Sequence, residues 1–171
     1  MNQTRPATTA REIIAWLGVL ILFCCAIGSL VSLFWVNVVE LPVYTIQGDS
    51  YATISERDLM KFAGIEAWYV VCAILIGPGV GWVAWRWFRP LGWPAAVIAA
   101  VAGLGTGVIC LWCGDLFGPG SFAERIADAD PGELVEAAVE LRAVSAVWAW
   151  PLASVAPALV ISLFSRPDTQ P

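Results

Sequence analysis

Histidine is absent from this chain. Ser-His-Asp catalysis, bis-histidine haem ligation and the usual catalytic zinc sites all need an imidazole, so all three are excluded together. No glycine-rich phosphate loop of the Walker type is present. Lysine occurs once, as Lys61, against eight arginines, a bias that GC-rich coding produces. Charge is missing over long tracts: residues 13–39, 67–85, 90–114 and 143–165 hold no Asp, Glu, Lys or Arg. Ion- and proton-coupled carriers keep an ionisable group at depth, so a coupled transporter built from one copy is not expected. Neither a metal nor an organic cofactor is expected.

The uncharged tracts run from 19 to 27 residues each. A helix rises about 1.5 Å per residue, so roughly 20 apolar residues cross a hydrocarbon core about 30 Å thick. Apolar residues make up 59% of the chain and the mean hydropathy is +0.75. The polar remainder is too small to cover four such helices in water. The expected fold is therefore an all-α membrane protein, a four-transmembrane-helix bundle with small extracytoplasmic loops. Spans fall at about 14–36, 65–85, 93–114 and 143–165 within a membrane domain of residues 13–165. Outer loops occupy 37–64 and 115–142, with cytoplasmic ends at 1–12 and 166–171. The first span is longer than a signal-peptide core and no small-x-small cleavage site follows it, so it reads as a retained helix.

Orientation follows from the arginines. The inner pieces carry Arg5, Arg11, Arg86, Arg89 and Arg166 against Glu12 and Asp168. Twelve of the fourteen acidic residues fall on the other side, with Arg57, Lys61, Arg125 and Arg142. Basic residues mark the cytoplasmic side, which places both termini in the cytoplasm and the chain in the cytoplasmic (inner) membrane. Tryptophans are expected in two interfacial belts, Trp16, Trp82, Trp85, Trp87 and Trp93 inside, Trp35, Trp68, Trp112, Trp148 and Trp150 outside. Trp148 and Trp150 sit deeper and are alternatively packed between helices.

In the first outer loop, Pro42-Val43-Tyr44-Thr45-Ile46 and Tyr51-Ala52-Thr53-Ile54 flank Gln47-Gly48-Asp49-Ser50, the pattern of a short β-hairpin. Ser55-Glu56-Arg57-Asp58 has the form of a capping box, and a helix starting there can run straight into the second span. Ser121-Phe122-Ala123-Glu124 is a second such box. Asp130-Pro131-Gly132-Glu133 is a turn or a further start, and the stretch through Arg142 is either helix or strand.

Four groups of residues are candidates for function. Ala95, Ala99, Gly103 and Gly107 recur every four residues, a small-residue row that admits a neighbouring backbone. Pro78, Pro151 and Pro157 predict kinks or local unwinding, as hinges or simply as packing features. Cys110-Leu111-Trp112-Cys113 is a C-x-x-C near the outer end of the third span, with Cys72 able to approach it. A thiol-disulfide oxidoreductase needs an accessible thiolate, and no cation lies nearby to favour one. Cys24 and Cys25 look like small hydrophobes. On the outer face Glu66, Asp115, Glu133, Glu136 and Glu140 form an acidic set, with no calcium-loop spacing and no metal expected. If helical, Glu133, Glu136 and Glu140 stripe one solvated face. Glu66 stands at the boundary of the second span as an interface anchor or an outer ligand contact. Arg86 and Arg89, among tryptophans, suit anionic lipid headgroups or plain anchoring.

A family resemblance rests on order and spacing. Gly64-Ile65-Glu66-Ala67-Trp68, Arg89-Pro90-Leu91-Gly92-Trp93-Pro94, Gly114, Gly118-Pro119-Gly120, Leu141-Arg142-Ala143 and Trp150-Pro151-Leu152-Ala153 resemble a family of small actinobacterial four-span membrane proteins with no assigned activity. The likeness covers roughly residues 15–165, and the C-x-x-C is not part of the family's pattern. It implies a four-helix protein of the actinobacterial cell envelope.

These readings lead to a non-enzymatic accessory or assembly subunit of an envelope complex. Its expected partners are membrane lipids and another membrane or envelope protein or a second copy, and no nucleic acid. The alternatives are an oxidoreductase using Cys110 and Cys113, or an oligomeric pore or carrier for a small solute.

Overall fold

A computed structural model describes residues 10–47 and 51–164. Residues 1–9, 48–50 and 165–171 lie outside it, and with them Arg5, Arg166 and most of the expected cytoplasmic ends. The described chain is mostly helical: α1 (Ala10–Val38), α2 (Glu56–Phe88), α3 (Pro94–Phe117), the short α4 (Phe122–Ala127) and α5 (Ala149–Phe164). Four helical segments are long and apolar enough to cross a membrane, α5 doing so together with the single-turn helix Val144–Trp148 that leads into it.

α2 is longer than its uncharged tract because Ser55 starts it early. The Ser55 Oγ accepts the Asp58 N–H at 3.1 Å and donates to Asp58 Oδ2 at 2.5 Å. With that start, α2 runs unbroken for 33 residues, about 50 Å. Pro78 and Pro157 sit inside unbroken helices, without the local unwinding expected of them. Pro151 lies in the first turn of α5, where an N–H has no intrahelical partner to lose.

The helices pack by close backbone approach. α1 and α3 run side by side in the same direction, and a Cβ on Gly28 would stand 2.9 Å from the Thr106 carbonyl. α5 lies in the groove between α2 and α3. Ser154 of α5 is fully buried there between Gly81 of α2 and Gly103 of α3, where a Cβ on either glycine would overlap it. Trp150 stacks with Tyr69 at 5.9 Å between centroids, and Tyr69 with Trp35 at 5.4 Å. Trp35 donates through Nε1 to the Ile65 carbonyl at 3.1 Å, and the Tyr69 hydroxyl donates to the Gly107 carbonyl at 3.0 Å. Trp35 is thus a core residue and not surface-facing as expected, Trp150 packs between helices, and Trp68, Trp112 and Trp148 are exposed.

The outer loops join. The expected hairpin forms as β1 (Val43–Gln47) and β2 (Tyr51–Ile54), with Thr45 opposite Thr53. The second loop then adds β3 (Leu134–Glu136) to the free edge of β1, giving an antiparallel sheet in the order β2-β1-β3. Gly132 N–H to Ile46 O and Ala137 N–H to Pro42 O, both 2.7 Å, extend this pairing past each end of β3. Of the two alternatives for the stretch through Arg142 the strand forms, so Glu133, Glu136 and Glu140 do not stripe a helix face. Asp130-Pro131-Gly132-Glu133 is a turn with Gly132 at φ +93°, Glu136 lies on a strand, and Glu140 closes a tight turn through its N–H to the Ala138 carbonyl at 2.9 Å. Val135, Ala137 and Val139 alternate inward, and Ala137 and Val139 join Trp35, Phe62 and Ile65 in one core, so the sheet sits on the end of the bundle.

Candidate functional site

The small-residue row on α3 is buried throughout, and its glycines face α5. A Cβ on Gly107 would press within 2.6 Å of the Trp150 ring, and one on Gly103 would overlap Ser154. The row thus packs helices within this chain and presents no free face to a second copy.

Cys110 and Cys113 stand three residues apart on unbroken α3 and point to different surroundings. Cys110 is fully buried in the outer core with Cys72, Tyr69 and Trp150. Cys113 is partly exposed, its Sγ 3.4 Å from the Ser29 hydroxyl on α1. Exchange with a partner disulfide requires a thiolate that the partner can reach. The position of Cys110 denies that access, and a helix uninterrupted across the pair offers no loop to swing it outward.

The acidic residues do not converge. Among the described residues no three Cys, Asp or Glu side chains come together as a metal-binding set. Glu66 is half-buried and its Oε1 accepts the Ala143 N–H at 2.7 Å. It therefore fastens the end of the second outer loop to α2. One turn earlier on the same face, Phe62 carries the Arg142 guanidinium 3.5 Å above its ring, a cation–π contact. Asp115 is exposed and lines a shallow cleft with Trp112, Phe122 and Glu140. Glu133 accepts the Asp130 N–H at 3.0 Å, closing the turn ahead of β3. Glu136 and Glu140 are exposed on the cap.

At the opposite end, Arg86 and Arg89 are both exposed where α2 passes through the short turn Arg89–Leu91 into α3. The Arg89 guanidinium lies 5.2 Å from the centre of the Trp85 ring. Trp16 and Trp87 stack 5.3 Å apart and tie α1 to this turn. Exposed indoles and guanidiniums thus share this end of the bundle.

Sequence reasoning missed the clamp of Phe62 and Glu66 on Arg142 and Ala143. Its only signal was the spacing of two α2 residues one turn apart. Comparison with protein-family models, with curated proteins and with solved structures returns no match.

Proposed function

We propose that this chain is a multi-pass protein of the cytoplasmic membrane, with both termini cytoplasmic, acting as a non-enzymatic accessory or assembly subunit of a cell-envelope complex. Four helices of sufficient length and hydropathy support insertion. The basic inner pieces and acidic outer loops support the orientation. The resemblance to small actinobacterial four-span proteins belongs to the same proposal.

The observation that carries the functional reading is the outer cap. Two loops from different helix pairs form one sheet seated on the bundle, and its exposed edge strand and the segment after it present Glu136 and Glu140. An ordered acidic platform suits docking of a partner with a basic surface. The bundle interior beneath it is filled by Trp35, Tyr69, Trp150 and Ser154, and holds no group placed for chemistry on a substrate.

The test is capture of the tagged protein from its native membranes in mild detergent, under thiol-trapping conditions, with mass spectrometry. The expected result is a stoichiometric envelope protein whose recovery falls at least fivefold in Glu136→Arg/Glu140→Arg. Recovery of Cys110 or Cys113 in a mixed disulfide, or a partner indifferent to the charge reversal, would overturn this reading.

A further inference from the structure

α1 and α3 touch closely at Gly28 and diverge toward their N-terminal ends. Gly28 meets the Thr106 carbonyl and Ile109, and this contact closes the upper end of a lateral slot of about 330 Å³ between the two helices. Its walls are Leu17, Ile21 and Cys24 on α1 and Val97, Val101 and Gly105 on α3, with no charged group among the lining residues. Ile21 and Val101 are both more than half exposed, so the slot opens sideways.

The dimensions select an occupant. Along α1 and α3 the slot extends roughly 11 and 18 Å respectively, close to half of a hydrocarbon core about 30 Å thick. Its length, its wholly apolar lining and its open flank suit a hydrocarbon chain laid along the two helices. A second transmembrane helix would need small residues on which to approach. Most of those are spent inside the bundle, at Gly28, Gly77, Gly81, Gly103, Gly107 and Gly114.

Charge supplies the second half. The slot's open end lies at the first turn of α3, beside the turn that carries Arg89, and less than two turns beyond Arg11 on α1. Arg11, Arg86 and Arg89 are exposed at this end, where Glu12 is the one acid among the described residues. The exposed Trp16 and Trp93 mark headgroup depth there.

We propose that this slot is a binding site for an anionic phospholipid of the cytoplasmic leaflet, one acyl chain lying between α1 and α3 and the phosphate held by the arginines at its mouth. The proposal rests on the membrane topology given above. Nothing lies within 4 Å of a Cβ added at Gly105, so the side chain of Gly105→Phe starts in open space on the slot wall. Val101→Trp, from the exposed rim, serves as a second filling variant.

The full-length protein is reconstituted in phosphatidylglycerol or phosphatidylcholine vesicles containing a small fraction of the same lipid with a photoreactive acyl chain, and adducts are mapped by mass spectrometry. In phosphatidylglycerol, adducts should concentrate on residues 17–24 and 97–109, at least fivefold over the exposed Leu159 and Leu163 of α5. Either filling variant should lower that labelling at least fivefold, and Arg11→Gln with Arg89→Gln should remove the preference for phosphatidylglycerol. Even labelling over all exposed faces, filling variants that label like the parent, or cross-linking of a second copy at the slot would overturn the proposal while leaving the membrane reading intact. Release of the protein from vesicles by alkaline carbonate would overturn both.

Discussion

The Glu66 carboxylate and the Ala143 N–H meet at 2.7 Å across two elements that no sequence pattern links. With Arg142 stacked on Phe62 one turn away, a single face of α2 fixes the point where the second outer loop enters the last helix. Hydrogen bonds to a charged acceptor contribute about 1.5–3 kcal/mol. We expect Glu66→Ala to lower stability by about that amount and to expose 118–142 to protease, while Glu66→Gln keeps a carbonyl acceptor and most of the stability. Thermal unfolding in detergent and limited proteolysis would show it, and Glu66→Ala matching the parent in both would refute the clamp.

Two glycines on α2, two residues apart, should respond in opposite ways. A Cβ on Gly81 meets the backbone of Ser154, which no rotamer change can relieve, whereas one on Gly79 meets nothing within 4 Å. Overpacking of this kind costs about 1–3 kcal/mol or more. Replacing an unhindered helical glycine by alanine gains up to about 1 kcal/mol. Gly81→Ala should therefore unfold at clearly lower temperature than the parent and Gly79→Ala at the same or a higher one. The reverse order would contradict the packing of α5.

Tyr69 offers a milder cut. Tyr69→Phe keeps the ring between Trp35 and Trp150 and removes the bond to the Gly107 carbonyl. The expected loss is about 0.5–1.5 kcal/mol, as for an ordinary buried hydrogen bond. Replacement by Ala, which also empties the space between two indoles, should cost several times more. Equal midpoints for the two variants would rule out the stacked core.

Thiol reactivity should follow burial. A membrane-permeant maleimide is expected to modify Cys113 in the folded protein well ahead of Cys110, Cys72 and Cys24, which react only after denaturation. Peptide mapping over time resolves the order. A Cys110→Ser/Cys113→Ser variant should capture its envelope partner as the parent does. Loss of capture in that variant would revive a redox role.

The start of α2 should titrate. Its first two turns lie outside the uncharged tract, where the Ser55 hydroxyl, and then Lys61, hold the Asp58 carboxyl below the usual carboxylate range of about 4. A depressed folded value means that the cap's contribution is present above the unfolded value and is lost as pH falls through the folded one. Carboxyl carbon shifts should give Asp58 a midpoint below about 4 that rises in Ser55→Ala. A midpoint unmoved by that substitution would exclude the hydroxyl as the cause.

The helices were legible because runs without charge leave few other solutions, and Ser55 signalled the long start of α2. The third strand was hidden. Leu134-Val135-Glu136-Ala137-Ala138-Val139 carries helix-forming Leu, Glu and Ala, so local preference competes with its period-two alternation. Pairing with the open edge of β1 decided between them, and no local pattern encodes that edge. The tryptophan belt misled at Trp35, while of the two residues offered as packed between helices Trp150 is and Trp148 is not; an indole at a given depth can face outward or a neighbour, and only the packed arrangement of α1, α2 and α5 says which. For the site, the sequence offered Glu66 as a boundary carboxylate, while its partner is a backbone amide, a group every residue carries.

The three-stranded cap also imposes an order of assembly. In the proposed topology β1 and β2 are exported once the second helix is in place, and β1 then waits with one edge unpaired. The strand that completes it follows the third helix, so the edge closes only after a further crossing of the membrane has succeeded. A chain stalled before that point would present a bare β edge to the outside. The finished sheet is thus a record that the last outer loop has arrived.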